Sequence, residues 1–130
     1  VGISAYKKTI KTTVDPREIE RRILSRINAE LGRFQERFDA SDKHERQKIL
    51  SGSLRTTITE NQTFWSAIKV DLLSPTNQMP RDLRVSIAST ATFVERHSVE
   101  VLAGRGDLQT LVEINQAIMS GLAGQAGEAA

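Results

Sequence analysis

Apolar residues recur along this chain at spacings of three and four, and nowhere in strict alternation. In the first long segment Ile19, Ile23, Ile27, Leu31, Phe34 and Phe38 follow one another at such steps, with Leu24 at the edge of the arc. That period belongs to an α-helix with one buried face, not to a strand. No Asn-Gly or Asp-Gly hairpin turn appears. The pattern therefore restricts the chain to an all-α fold.

Stop and start signals divide the sequence into four helical segments. Asp15-Pro16-Arg17-Glu18 offers a cap, a proline suited to the first helical position and a capping-box glutamate. The stretch Asp39 to Asp42 reads as a short turn. A second helix opens near Ser41 or Asp42 and reaches about Leu73, with Leu50, Leu54, Ile58, Phe64, Trp65, Ile68 and Leu72 on one stripe. Gly52 and Thr56-Thr57 are poor helix formers, so a kink or break is expected there. Ser74 to Pro80 carries two prolines and several turn formers, so it is a loop. Pro80 takes the first position of a third helix, whose stripe is Leu83, Ile87, Ala91, Val94, Val101 and Leu102. Gly104-Arg105-Gly106 stops it, and Asp107 caps the fourth.

That last helix has the widest apolar face. Leu108, Leu111, Val112, Ile114, Ile118, Met119 and Leu122 cover roughly 160° at the helical step. An arc that wide has room for two neighbours, and the second is either a helix of the same chain or a partner. Asn115 sits near the middle of the face, as Asn61 does on the second helix. A buried amide without a partner costs about 1–3 kcal/mol. Two readings follow: the asparagines bond each other or loop backbone inside the bundle, or one receives the backbone of a bound segment.

The expected architecture is one domain over residues 1–130: a compact bundle of about four amphipathic helices. A flexible N-terminal arm and C-terminal tail flank an ordered part of about 15–123. With 130 residues the chain can bury its own core. No apolar run is long enough to span a bilayer, and the N-terminal stretch does not read as a signal peptide. Cysteine is absent, so thiol nucleophiles and zinc–thiolate sites are excluded; the composition fits a cytoplasmic protein.

Catalysis finds no support in the residues. His44 and His97 lie on different helices without acidic partners at metal-ligand spacing, and no phosphate-cradling loop or nucleophile elbow is present. No enzyme activity, cofactor or metal is expected. Candidate binding residues are the off-stripe Phe93, with Trp65, Ile114, Asn115, Ile118, Met119 and Leu122. Arg22, Arg26, Arg33 and Arg37 fall within about 60° of one another on the first helix. They form either a basic ridge for RNA phosphates or a solvated edge paired with Glu18, Glu30 and Glu36. No aromatic platform accompanies them, and net charge is only +2.

One ordered set of residues is more specific. Met79-Pro80 … Leu83-Arg84 … Ser86-Ile87 … Phe93-Val94 precedes Leu111-Val112-Glu113-Ile114-Asn115 … Ile118-Met119 … Gly121-Leu122. Upstream stand Ala5-Tyr6, Pro16-Arg17 … Glu20 and Asn61 … Trp65 … Asp71 … Asn77 … Pro80. Together they resemble the flagellar biosynthesis regulator FlaF family of alphaproteobacteria over nearly the whole chain. The resemblance implies a cytosolic, non-catalytic protein needed for flagellin production or export, with flagellin and the regulator FlbT as its partners. A chaperone-like role toward flagellin is the leading expectation. The alternative is post-transcriptional control of flagellin mRNA, directly through the arginine ridge or as an adaptor of FlbT.

Overall fold

The helix periods become five α-helices in the computed structural model, which describes the backbone of residues 16–129 and the side chains of 18–121. They are α1 (Pro16–Ala40), α2 (Lys43–Leu50), α3 (Ser53–Leu72), α4 (Arg81–Leu102) and α5 (Leu108–Ala129). No strand occurs among the described residues. The expected N-terminal arm, with Asp15 and its capping role, lies outside them.

Five helices replace the expected four because the second segment breaks. At Ser51 the backbone N–H still bonds back to Gln47 and Lys48, but Gly52 turns extended (φ −97°, ψ −151°) and α3 begins afresh. The break falls at the glycine that sequence had marked as weak. Two boundaries also move. Pro80 serves as the N-cap of α4 rather than its first residue. The backbone of α5 stays helical through Ala129, where a flexible tail was expected from about residue 124. Gln125, Ala126, Glu128 and Ala129 favour the helix enough to outlast the intervening glycines.

Helix α1 is the central element. It packs lengthwise on α5 and on α3, and α3 in turn packs against α4 in an antiparallel hairpin. The core takes Leu24, Ile27, Leu31 and Phe38 from α1, and Leu54, Ile58 and Trp65 from α3. Ala91, Val94 and Val101 of α4 and Leu108 and Leu111 of α5 complete it, with Ile49 and Leu50 of α2 closing one end. The stripe on α1 is rotated from its expected position: Leu24 is fully buried, whereas Ile23 is 42% exposed.

One end of the bundle is stapled by polar groups. Gly104 adopts φ +81°, the one positive φ among the described residues, and ends α4. The N–H groups of Arg105 and Gly106 both return to the Glu100 carbonyl. A side chain at Gly104 would be strained by φ and would press on Gln47 at 3.0 Å. Arg46 of α2 then joins this turn to the end of α1. Its Nε donates to the Phe38 and Ser41 carbonyls (3.0 and 3.1 Å) and its Nη2 to that of Asp39 (3.2 Å). Its Nη1 donates to the Gly104 and Gly106 carbonyls (3.2 and 3.0 Å). The guanidinium also covers the Phe38 ring, 4.8 Å from its centroid.

Two carboxylates serve the start of α5. Asp107 accepts from the Thr110 N–H and hydroxyl, as the sequence suggested. Asp39, 69 residues earlier in the chain, accepts from the Leu108 N–H at 2.7 Å and the Gln109 N–H at 3.0 Å. Both place negative charge where the helix dipole is positive.

Two expectations follow. Arg46→Met keeps the packing stem and leaves five carbonyls without their donor. Urea unfolding should show a loss of about 3 kcal/mol, and Arg46→Lys should recover less than half, because an ammonium lacks the planar fork. The second concerns pH. The Thr110 hydroxyl and N–H hold the Asp107 carboxyl below its ordinary value of 3.8, with a smaller pull from His97. Its anionic form is thus favoured by folding; the stabilisation is present above 3.8 and is lost as pH falls through the lowered folded value. The stability gap between wild type and Asp107→Asn should shrink as pH falls below the ordinary carboxylate range. A gap that widens in acid would refute the assignment.

Candidate functional site

Helices α1, α3 and α5 meet at a buried polar node. Asn115 of α5 is its centre. Its carbonyl oxygen accepts from the Trp65 indole N–H at 2.8 Å. Its amide nitrogen donates to Asn61 Oδ1 at 2.9 Å and to Asn28 Oδ1 at 3.2 Å. Asn28 of α1 passes the chain on to the Val112 carbonyl at 3.3 Å. Asn61, Trp65 and Asn115 are fully buried and Asn28 nearly so.

The node corrects two of the candidate binding residues. Trp65 and Asn115 do not face a partner; they are consumed inside the bundle, where each satisfies the other. Asn28 completes the node and was not singled out from sequence. It does have a signal, since it sits between Leu24 and Leu31 at helical spacing on the buried face. Within the node, the Asn61 amide nitrogen is the buried polar atom left without a partner.

The broad face of α5 is used mostly within the chain. Leu108 and Leu111 are fully buried, and Val112, Ile114 and Ile118 pack partly buried against the core. Met119 is half-buried. The Leu122 side chain lies outside the described residues. The neighbours of this face are α1 above all, with α4 and, through Asn115, α3. Phe93 of α4 is 46% exposed and stacks on the His97 ring, with centroids 5.5 Å apart. His97 Nε2 lies 2.8 Å from the Asp107 carbonyl, so the pair braces the α4–α5 turn.

The arginine ridge is a row of ion pairs. Arg22 reaches Glu18, Arg26 reaches Glu60 of α3 at 2.9 Å, Arg33 reaches Glu30 at 3.0 Å and Arg37 reaches Glu45 of α2 at 3.4 Å. Glu18 also takes Arg21, whose hydrogen bond pulls the carboxyl below its usual range. The four ridge arginines therefore present little net charge. Glu36 is not one of their partners; Glu45 and Glu60 come from other helices.

One apolar surface was not anticipated. Between α1 and α3 runs a groove of about 610 Å³. Ile23, Ile27, Phe64 and Ala67 line it, with Thr56, Thr59 and Thr63 on the α3 side. The Arg26–Glu60 pair bridges its two walls. Rotation of the α1 stripe creates this groove: Leu24 fills the core and leaves Ile23 on the surface. The adjacent apolar pair Ile23-Leu24 was the available hint.

Among the described residues no cluster of acidic or histidine side chains could hold a metal ion, and no helix is long and apolar enough to cross a membrane. The fold and its surfaces define a small all-helical protein organised by a polar node and flanked by an apolar groove. A family model described as flagellar protein FlaF matches residues 2–122, and the chain belongs to that family. Comparison with curated proteins and with solved structures gave no match.

The two readings of Asn115 differ in what its loss does. Asn115→Ala strands the Trp65 N–H and the Asn28 and Asn61 carbonyls, so denaturant unfolding should show a loss of about 3 kcal/mol. Trp65→Phe should be non-additive with it, because the two share one hydrogen bond. Unchanged stability in Asn115→Ala would return this residue to an interface.

Proposed function

We propose that this FlaF-family protein is a non-catalytic binding protein for flagellin, acting in the cytoplasm as a chaperone-like factor before export. The α1–α3 groove carries the reading. An apolar trough with a threonine wall and a charged bridge suits the apolar face of an amphipathic helix. A segment of that kind aggregates if left uncovered before assembly. Flagellin enters through the family, whose members the sequence resembles and whose model the chain matches.

Pairing along the arginine ridge favours a protein partner over RNA. Phosphate binding draws on an unbalanced field of cations, whereas Arg22, Arg26, Arg33 and Arg37 each already face a carboxylate.

Calorimetric titration with purified monomeric flagellin tests this. Saturable binding is expected, and Ile23→Asp should weaken it by at least about tenfold, or about 1.4 kcal/mol. Ile23 is 42% exposed, so the melting temperature should hold. Phe93 lies outside the groove lining, and Phe93→Ala should bind as wild type does. Loss of binding in Phe93→Ala with none in Ile23→Asp moves the site to α4. Binding of FlbT in the groove with no binding of flagellin makes the protein an adaptor.

A further inference from the structure

The elbow where α3 turns into α4 carries a second surface that shares no lining residue with the α1–α3 groove. Leu73, which ends α3, is 70% exposed, and Val70 one turn earlier is 71% exposed. Across the elbow Val85 of α4 is 56% exposed. A hollow of about 180 Å³ lies between the two helices, lined by Leu72, Leu73, Arg81, Arg84, Val85 and Ala88. Scattered surface leucines need no explanation, but exposed Leu73 and Val85 both line this one hollow and form a patch, with Val70 one turn from Leu73.

Its cations differ from those of the arginine ridge. Among the described residues neither Arg81 nor Arg84 is in an ion pair, whereas all four ridge arginines are. Arg84 is half-buried, and its Nε–H is shielded from solvent without an acceptor. The exposed Arg81 and half-buried Arg84 thus stand without a carboxylate of their own, and a guanidinium is the side chain suited to taking one in bidentate geometry.

We propose that the α3–α4 elbow docks an acidic, apolar segment of a partner protein, with an aliphatic or aromatic side chain in the hollow and a carboxylate on Arg81 and Arg84. An anionic membrane fits less well. Asp82 opens α4 beside Arg81, and Asp71 is held at the same end by the Asn77 amide at 3.2 Å. A broad phosphate surface would meet these carboxylates, while a single side chain passes between them.

The test is selection of displayed random peptides of about 16 residues against the full chain, with counter-selection on Leu73→Ser. Enriched peptides should carry Asp or Glu within one helical turn of Leu, Ile, Phe or Met. A labelled winner should bind about tenfold more weakly to Arg81→Glu and to Leu73→Ser. It should also lose affinity as sodium chloride rises from about 50 to about 500 mM. Both positions are exposed, so circular dichroism melting should match wild type, and Ile23→Asp should bind the peptide normally. Enrichment that ignores the elbow, or that selects basic or neutral peptides, overturns the proposal. So does self-association in sedimentation velocity, or co-sedimentation with phosphatidylglycerol vesicles, that Leu73→Ser abolishes.

Discussion

Arg46 is the contact on which the arrangement of this molecule turns. Its guanidinium joins the last carbonyls of α1 to the two glycine carbonyls of the α4–α5 turn. Apart from the Phe38 carbonyl, which also accepts from the Ser41 N–H at 3.1 Å, these are carbonyls of a helix end and of a tight turn that need a donor from outside the helix. The same corner holds Asp39, whose carbonyl takes one Arg46 donor and whose carboxylate caps α5. One short helix, α2, thereby fixes where α5 begins relative to where α1 ends. The break at Gly52 is what frees α2 to sit across this corner, instead of continuing along the axis of α3.

From that fixed end, α1 and α5 run side by side until they reach the asparagine node. Aliphatic packing alone tolerates sliding and rotation; a bonded set of amides does not. Asn115 can satisfy Trp65, Asn61 and Asn28 in one register only. The node therefore sets the rotation of α1. Leu24 points inward, Ile23 lies at the surface, and the α1–α3 groove opens beside it. The α1–α3 groove is in this sense a consequence of a polar interaction in the core.

Much of this was legible in the residues. Helix periods gave the all-α class, Gly52 the weak point, Gly104 the stop and Asp107 a cap. The ordered residues from Ala5 to Leu122 gave the family, which the family model supports. Less legible were the partners of each polar group. Asn115 and Trp65 looked equally suited to an interface, because periodicity reports which face is apolar and not what covers it. Arg46 was not singled out and Asp39 was read only as part of a turn, because their partners lie up to 70 residues away in the chain. The arginine ridge looked basic because two of its carboxylates belong to other helices.

Sequence by itself determined the local facts: which segments are helical, where each stops and which side of each is apolar. These depend on propensity, caps and glycine, all of which act within a few residues. Tertiary structure alone decided which apolar residues stay exposed, which arginines are neutralised and which polar groups are spent in the core. Those outcomes depend on distances between helices far apart in sequence. They settle the broad face of α5 as mostly an internal contact and place the open apolar surfaces elsewhere, along α1–α3 and at the α3–α4 elbow.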